Sequence, residues 1–139
     1  LGAGGAARAA ALGCADLGLD VAMAARRPDA AAHWLAARSR ALGEAIPWSA
    51  RTRARVDVLV NATPLSGDDS PWPDEAPMPP LVFDLALGAR PKSALLERAR
   101  AAGCRTLDPL AMWVAQGAAQ MSLLLGRSIT VAELREALA

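Results

Sequence analysis

The first residues of the chain form a small-residue loop of a kind that can bind phosphate. Residues 2–7 read Gly-Ala-Gly-Gly-Ala-Ala and fit the pattern G-x-G-x-x-A. In this pattern the first glycine permits a tight turn, the second lets the backbone approach a pyrophosphate, and the small last residue packs closely on a strand. A helix beginning near Gly5 would point its N-terminal N–H groups at the phosphates. The alternative is a small-residue helix start without a ligand, because glycine and alanine are common in this chain.

Two adjacent arginines follow the next predicted strand, 20–25. Arg26 and Arg27 stand where a dinucleotide-binding domain reads the adenosine ribose. Asp or Glu at this place would bind a free 2′-hydroxyl, whereas arginine suits a 2′-phosphate, to which it can donate two hydrogen bonds. The pair therefore favours NADP over NAD. The alternative is that both arginines only solvate the end of a strand.

Polar residues also end a second predicted strand, 56–61, which is rich in β-branched residues. Asn61 and Thr63 would lie at the carboxyl edge of a parallel sheet, where open α/β folds bind ligands. Pro64 then turns the chain away. Ordinary turn chemistry is the alternative for this segment, since Asn and Thr are common where strands end.

The most apolar segment, 110–125, is shorter than the ~20 apolar residues that cross a bilayer. We interpret it as part of a buried helix, 109–125. Gln116 is a polar residue in this apolar setting, and Met112 precedes it by one turn on the same face. A glutamine satisfied by neighbouring backbone and a core methionine are the alternatives.

Helical and strand patterns alternate along the chain, which predicts an α/β fold: a Rossmann-like, mainly parallel sheet flanked by helices. The remaining predicted helices are 5–18, 29–43, 91–102 and a last helix at 130–138 that opens with a capping box. The remaining strands are 81–87 and 104–107, while 44–55 is ambiguous and the six prolines of 62–80 indicate a loop. A hydrophobic strand normally precedes such a glycine loop, so we expect the first strand to be truncated and residues 1–139 to be one dinucleotide-binding domain of a longer protein.

The composition excludes several classes of protein. Hydrophobic residues make up 53% of the 139 residues, which argues against disorder. A net charge of +1 and an aromatic content of 4% favour neither nucleic acid nor membrane as a partner. Cys14 and Cys104 lack metal-ligand spacing and are too few for a secreted disulfide scaffold, so we expect no metal, two reduced buried thiols and a cytoplasmic protein. The one histidine, His33, is expected to be a surface or packing residue.

These motifs together resemble the shikimate dehydrogenase family from Gly2 to about Gly126. The family's loop, Gly-Ala-Gly-Gly-Ala-Ser/Ala-Arg, is matched in full by residues 2–8. Its Asn-Ala-Thr-Pro-Leu-Gly is matched from Asn61 until Ser66, and its strand end Asn-Arg-Thr is Ala-Arg-Arg at 25–27. Its Asp-Gly-Leu-Gly-Met-Leu-Val-x-Gln-Ala corresponds to residues 108–117.

Departures from the family pattern indicate a divergent member. Leu87 replaces a tyrosine near the substrate, and Pro109 and Ala111 replace two glycines. Arg90 with Pro91 adds one residue before Lys92 and Ser93, where the family has threonine.

The resemblance implies that this chain is the C-terminal, NADP-binding part of an oxidoreductase that interconverts 3-dehydroshikimate and shikimate in aromatic amino acid biosynthesis. The family's catalytic Lys and Asp belong to an N-terminal substrate domain, so none of the residues here takes those roles; Lys92, the only lysine, does not match. Helices 109–125 and 130–138 would pack toward that domain, and Gln116 would bond the hydroxyls of a shikimate-like substrate. The residues expected to contact the cofactor are Gly2, Ala3, Gly4, Gly5, Ala6, Ala25, Arg26, Arg27, Asn61, Ala62, Thr63, Leu85 and Met112. The alternatives are a degenerate nucleotide-binding module, a quinate dehydrogenase, and the nucleotide domain of glutamyl-tRNA reductase.

Overall fold

The computed structural model describes residues 1–37, 42–53, 55–86, 93–107 and 109–138. In chain order the elements are α1 (Gly5–Asp16), β1 (Ala22–Ala25), α2 (Pro28–Ala36), β2 (Glu44–Pro47), a 3₁₀ turn (Trp48–Ala50), β3 (Val58–Asn61), β4 (Leu81–Asp84), α3 (Ala94–Ala101), β5 (Arg105–Leu107), α4 (Pro109–Leu125) and α5 (Val131–Ala137). The expectations at Leu87, Arg90, Lys92 and Asp108 lie outside the described residues. The ambiguous segment 44–55 contains β2, and α2 ends at Ala36, earlier than predicted.

The strands pair in parallel in two groups that residues 1 and 2 join. β1 pairs with β2, and β4 lies between β3 and β5. The Gly2 N–H donates to the Ala24 carbonyl at 2.9 Å, and the Ala62 N–H donates to the Leu1 carbonyl at 2.9 Å. The sheet therefore has the order β2, β1, residues 1–2, β3, β4, β5. This is the order of a doubly wound fold with its first strand in the centre, and it confirms the predicted Rossmann-like class.

A cavity of about 480 Å³ lies between the facing edges of β1 and β3, beneath α1. Leu1 and Gly2 line it and join the two strands through backbone hydrogen bonds. The amino group of Leu1 donates to the Val60 carbonyl at this place. Burial lowers the pKa of this amine from 8.0 to about 6, and the Cys14 thiol opposes the shift.

Two apolar clusters hold the sheet to its helices. One joins α1 and α2 to β1 through Ala11, Ala15, Met23 and Leu35. The alanines of α1 let the helix lie close to the strand, and the buried Ala7 fits the small residue that the loop pattern requires. The other cluster packs Leu59, Trp72, Val82, Leu95, Leu96 and Ala99 between β3, β4, α3 and the proline-rich loop.

The helix α4 has the predicted bounds, but the expectation that it is buried is wrong. Only Val114 and Ala118 are buried along its length, and Leu123 and Leu124 are 85% and 84% exposed. Its main packing partner among the described elements is α5. In the part of the chain that the structure describes, no helix combines the length and apolar character that would cross a membrane.

Three smaller expectations have different outcomes. The capping box at the start of α5 is confirmed: Glu133 N–H donates to Thr130 Oγ1 at 3.1 Å, and Thr130 N–H donates to Glu133 Oε2 at 2.7 Å. The hydrogen bonds that the Thr130 N–H and hydroxyl donate to the Glu133 carboxylate lower the pKa of Glu133. The free thiols of Cys14 and Cys104 are half-buried, so the expectation of full burial is wrong for both. His33 is exposed on α2.

Candidate functional site

The glycine loop crosses the carboxyl edge of the sheet and touches the end of β3. Gly2 has φ 102°, and a Cβ at this position would lie 2.8 Å from the carbonyl oxygen of Ala62. Glycine is therefore required at Gly2 both by its backbone conformation and by this close approach. Ala3 packs half-buried against the first apolar cluster. The structure thus brings the predicted residues Gly2 and Ala62 into contact.

The N-terminus of α1 is open to a ligand. Gly4 is the N-cap, with φ −75° and ψ −174°; no side chain caps the helix, and no acidic residue lies in its first turn. A Cβ added at Gly4 or Gly5 would meet no atom within 4 Å. The first N–H groups of a helix have no intrahelical acceptor, and together with the helix dipole they attract an anion. This end of α1 therefore has the geometry and the charge for a phosphate group.

A cleft of about 370 Å³ lies beside this helix end, at the carboxyl edge of β3 and β4. It brings together Ala6 of α1 with Ala62, Thr63, Pro64 and Ser66 after β3, and with Leu85 and Ala86 after β4. The sequence predicted Ala6, Ala62, Thr63 and Leu85 as site residues. These residues lie together because the glycine loop and the ends of two neighbouring strands share one edge of the sheet.

Asn61 lies beneath the cleft and is fully buried. Its Oδ1 accepts bonds from the Thr63 N–H at 2.9 Å and the Thr63 hydroxyl at 2.7 Å. Its Nδ2 donates to the Leu65 carbonyl at 3.1 Å and to Asp84 Oδ1 at 2.8 Å. In this structure the Asn61 amide holds the turn, and Thr63 with Ala62 forms the surface that a ligand would meet.

Asp84 is the other buried polar residue at this edge, and it was not predicted from the sequence. Asp84 ends β4, opposite Asn61 in the strand register. Its Oδ2 accepts a bond from the Ser93 hydroxyl at 2.6 Å, and Ser93 in turn caps α3 by accepting from the Leu96 N–H at 3.1 Å. An acid at the end of an apolar strand, Leu-Val-Phe-Asp, was the available signal. It became interpretable only once β3 and β4 were known to be neighbours.

The arginine pair stands on the same edge of the sheet, beyond β1. Ala25 is buried at the end of this strand, while Arg26 and Arg27 are exposed. Nearby in the fold, the Arg8 guanidinium of α1 lies 5.4 Å from the ring centroid of Trp34 on α2. The exposed guanidinium groups leave this side of the glycine loop positively charged.

The two predicted residues on α4 do not line the cleft. Met112 is half-buried, and Gln116 is exposed and not the buried amide that an apolar helix suggested. Both lie on the helix that keeps most of its apolar surface uncovered.

Comparison with known proteins agrees with this architecture. No model of a known protein family matches the chain. The shikimate dehydrogenase (NADP(+)) of Archaeoglobus fulgidus is 34% identical, over 99% of this chain and 54% of that protein. The solved shikimate 5-dehydrogenase of Thermus thermophilus, in complex with NADP(H) and shikimate, superposes with a TM-score of 0.75 at 31% identity, over 98% of this chain and 51% of that one.

The chain is related to the shikimate dehydrogenases. It spans about half the length of the relatives it matches. The ligand-free 5-ketofructose reductase of Gluconobacter sp. strain CHM43 shares the fold too, with a TM-score of 0.64 at 28% identity, over 96% of this chain and 52% of that one. The sequence and the fold therefore match about one half of a shikimate dehydrogenase.

Proposed function

We propose that this chain binds NADP as the cofactor domain of a shikimate dehydrogenase. The observation that carries the proposal is the uncapped N-terminus of α1, which opens beside the cleft of Thr63 and Leu85. The site fits the cofactor, because a Cβ at Gly4 or Gly5 would project into open space where the pyrophosphate approaches. The NADP(+) in the name of the Archaeoglobus relative and the NADP(H) in the Thermus complex support the same cofactor.

Each part of the site would hold a different part of the cofactor. The backbone N–H groups of Gly4, Gly5 and Ala6 would bond the pyrophosphate, and Arg26 and Arg27 would bond the 2′-phosphate. Ala62, Thr63 and Leu85 would form the wall beside the nicotinamide. Met112 would complete this wall from α4 in the protein that contains both halves. When bound, the cofactor supplies a hydride to a carbonyl carbon of the substrate.

The substrate side of the reaction would come from a second half of the protein. We infer that α4 and α5 dock against it, because Leu123, Leu124 and Leu125 of α4 are exposed and form an apolar surface. This docking would place Gln116 at the junction, where its amide can bond hydroxyls of a shikimate-like substrate. The catalytic Lys and Asp would lie in that second half, in the cytoplasm as the cysteine usage suggests.

A second substrate is favoured by one observation. The similarity to 5-ketofructose reductase indicates that this fold also serves the reduction of another polyhydroxylated ketone. The two-half protein should be assayed with 3-dehydroshikimate and with 5-ketofructose; a higher kcat/KM for the first supports the primary proposal, and a higher one for the second replaces it.

Substitution of Gly4 tests the cofactor site without damaging the fold. Gly4→Asp is compatible with the extended N-cap conformation, and an aspartate caps a helix well. The thermal stability should therefore be kept or raised, while the new carboxylate repels the phosphates. We expect NADPH binding, measured by calorimetry, to weaken by at least about tenfold, which corresponds to ~1.4 kcal/mol.

The matched control is Gly13→Ala, within α1, where an added Cβ also meets no atom within 4 Å. This variant should bind NADPH as the parental chain does. Unchanged NADPH affinity in Gly4→Asp would refute the assignment of the α1 N-terminus to the pyrophosphate.

A further inference from the structure

Asp84 is a buried carboxylate that bonds to three separate segments. It is 1% exposed. Oδ1 accepts from Asn61 Nδ2 at 2.8 Å and from the Ala86 N–H at 3.0 Å, and Oδ2 accepts from the Ser93 hydroxyl at 2.6 Å. Within the residues that the structure describes, the ion pairs involve other acids, and no cation pairs with Asp84.

These bonds reach both loops that line the cleft. In the loop after β3, the Thr63 N–H and hydroxyl both donate to the Asn61 side chain, which in turn bonds to Asp84. In the loop after β4, Ala86 donates directly to the carboxylate and lines the cleft together with Leu85. The third bond, to Ser93, ties the same carboxylate to the first turn of α3. One side chain therefore fixes the loop after β3, the loop after β4 and a helix start.

A buried carboxylate adds little to the stability of a fold, because its burial has a cost in free energy. Taking a charge out of water is costly, and apolar residues of similar volume often serve stability as well or better. A fully bonded polar network does, however, select one arrangement of the groups that it joins. We therefore expect the network around Asp84 to fix the geometry of the cleft more than to stabilise the fold.

We propose that Asp84 is the positioning residue of the cofactor cleft: it keeps the loop of Thr63 and the loop of Ala86 in the arrangement that NADP requires. Asp84 does not line the cleft, so it would act through these loops and not by contact with the cofactor. This inference rests on the proposed NADP binding and adds the residue that preorganises the site.

The test compares Asp84→Ala with a control that damages the same strand without touching the network. Val82 is fully buried on β4, so Val82→Ala lowers stability by removing core volume. At a temperature where both variants are folded, we expect Asp84→Ala to raise the Kd for NADPH by about tenfold or more and Val82→Ala to leave it within about twofold. Equal effects of the two variants would show that Asp84 serves stability alone and would overturn the proposal.

Ser93 provides a milder variant should Asp84→Ala not fold. Ser93→Ala removes one bond to the carboxylate at a residue outside the cleft, and we expect it to weaken NADPH binding by about threefold or more. Ser93→Thr retains the hydroxyl and should restore the parental affinity. Failure of Ser93→Thr to restore binding, or unchanged binding in Ser93→Ala, would contradict the proposal.

Amide hydrogen exchange separates this inference from the proposed function. The N–H groups of Thr63 and Ala86 depend on the network, so their exchange should quicken in Asp84→Ala more than in Val82→Ala. If the parental chain does not bind NADPH, the proposed function fails, and these two exchange rates still decide whether Asp84 holds the loops. Unchanged exchange at both amides would overturn the positioning role.

Discussion

Asn61 illustrates how a buried side chain can shape a candidate site through its own hydrogen bonds. Its amide is saturated by Thr63, Leu65 and Asp84, so it shapes the turn that Thr63 presents to the cleft. The sequence placed Asn61 at a strand end correctly, and both ligand binding and turn formation remained open there. The hydrogen bond from Asn61 to Asp84 could not be predicted without the pairing of β3 with β4, because Asp84 is 23 residues away along the chain.

The choice between NADPH and NADH is also expected to depend on a single residue. Arg26 is exposed beyond β1, and no other residue type at this position would bond a 2′-phosphate with two parallel N–H groups. Arg26→Ala should remove a contact of about 1.5–3 kcal/mol, which weakens NADPH roughly ten- to hundredfold and changes NADH binding little. Titrations of both cofactors measure this, with Arg100→Ala on the exposed side of α3 as a control. Equal losses for NADPH and NADH would refute the 2′-phosphate role.

Among the secondary-structure elements, the junction of β1 and β3 should make the free energy of unfolding depend on pH. In a 139-residue chain prepared with a free amino group at Leu1, this amine is buried there, with a pKa of about 6 against 8.0 when unfolded. Between these values the unfolded chain binds more protons than the folded one, so the free energy of unfolding should rise from pH 6 to pH 8. The rise is about 3 kcal/mol at most, and it should be complete above pH 8.

Denaturant unfolding of the 139-residue chain at these pH values measures the effect. Acetylation of the Leu1 amine removes the titrating group, so an acetylated chain should lose this part of the rise. An identical rise with and without the acetyl group would show that other groups cause it.

The elements themselves were largely predictable, and their surroundings were not. β-branched residues identified β3, and Thr130 with Glu133 identified the start of α5. The apolar sequence of α4 correctly predicted a helix from Pro109 to Leu125. Its exposure could not be predicted, because an apolar helix that packs on its own domain and one that packs on another have the same sequence pattern.

For the molecule as a whole, we propose that the exposed face of α4 forms one side of an active site. In the protein with both halves, Gln116→Ala should lower kcat/KM for the polyol acid, since truncating its amide costs about 1–3 kcal/mol of transition-state binding. The affinity for NADPH should stay nearly unchanged. Steady-state kinetics measure kcat/KM, and a separate NADPH titration measures the affinity for the cofactor. A collapse of NADPH affinity with an unchanged substrate KM would place Gln116 on the cofactor side.

We propose that NADP binds across the carboxyl edge of this sheet. An NADPH titration of the ¹⁵N-labelled chain, followed by amide chemical shifts, tests this binding site residue by residue. We expect saturable shifts that are largest at Gly4, Gly5, Ala6, Arg26 and Thr63, and weaker shifts at the same amides with NADH. Shifts confined to the cavity between β1 and β3, or no shifts at millimolar NADPH, would contradict this binding site.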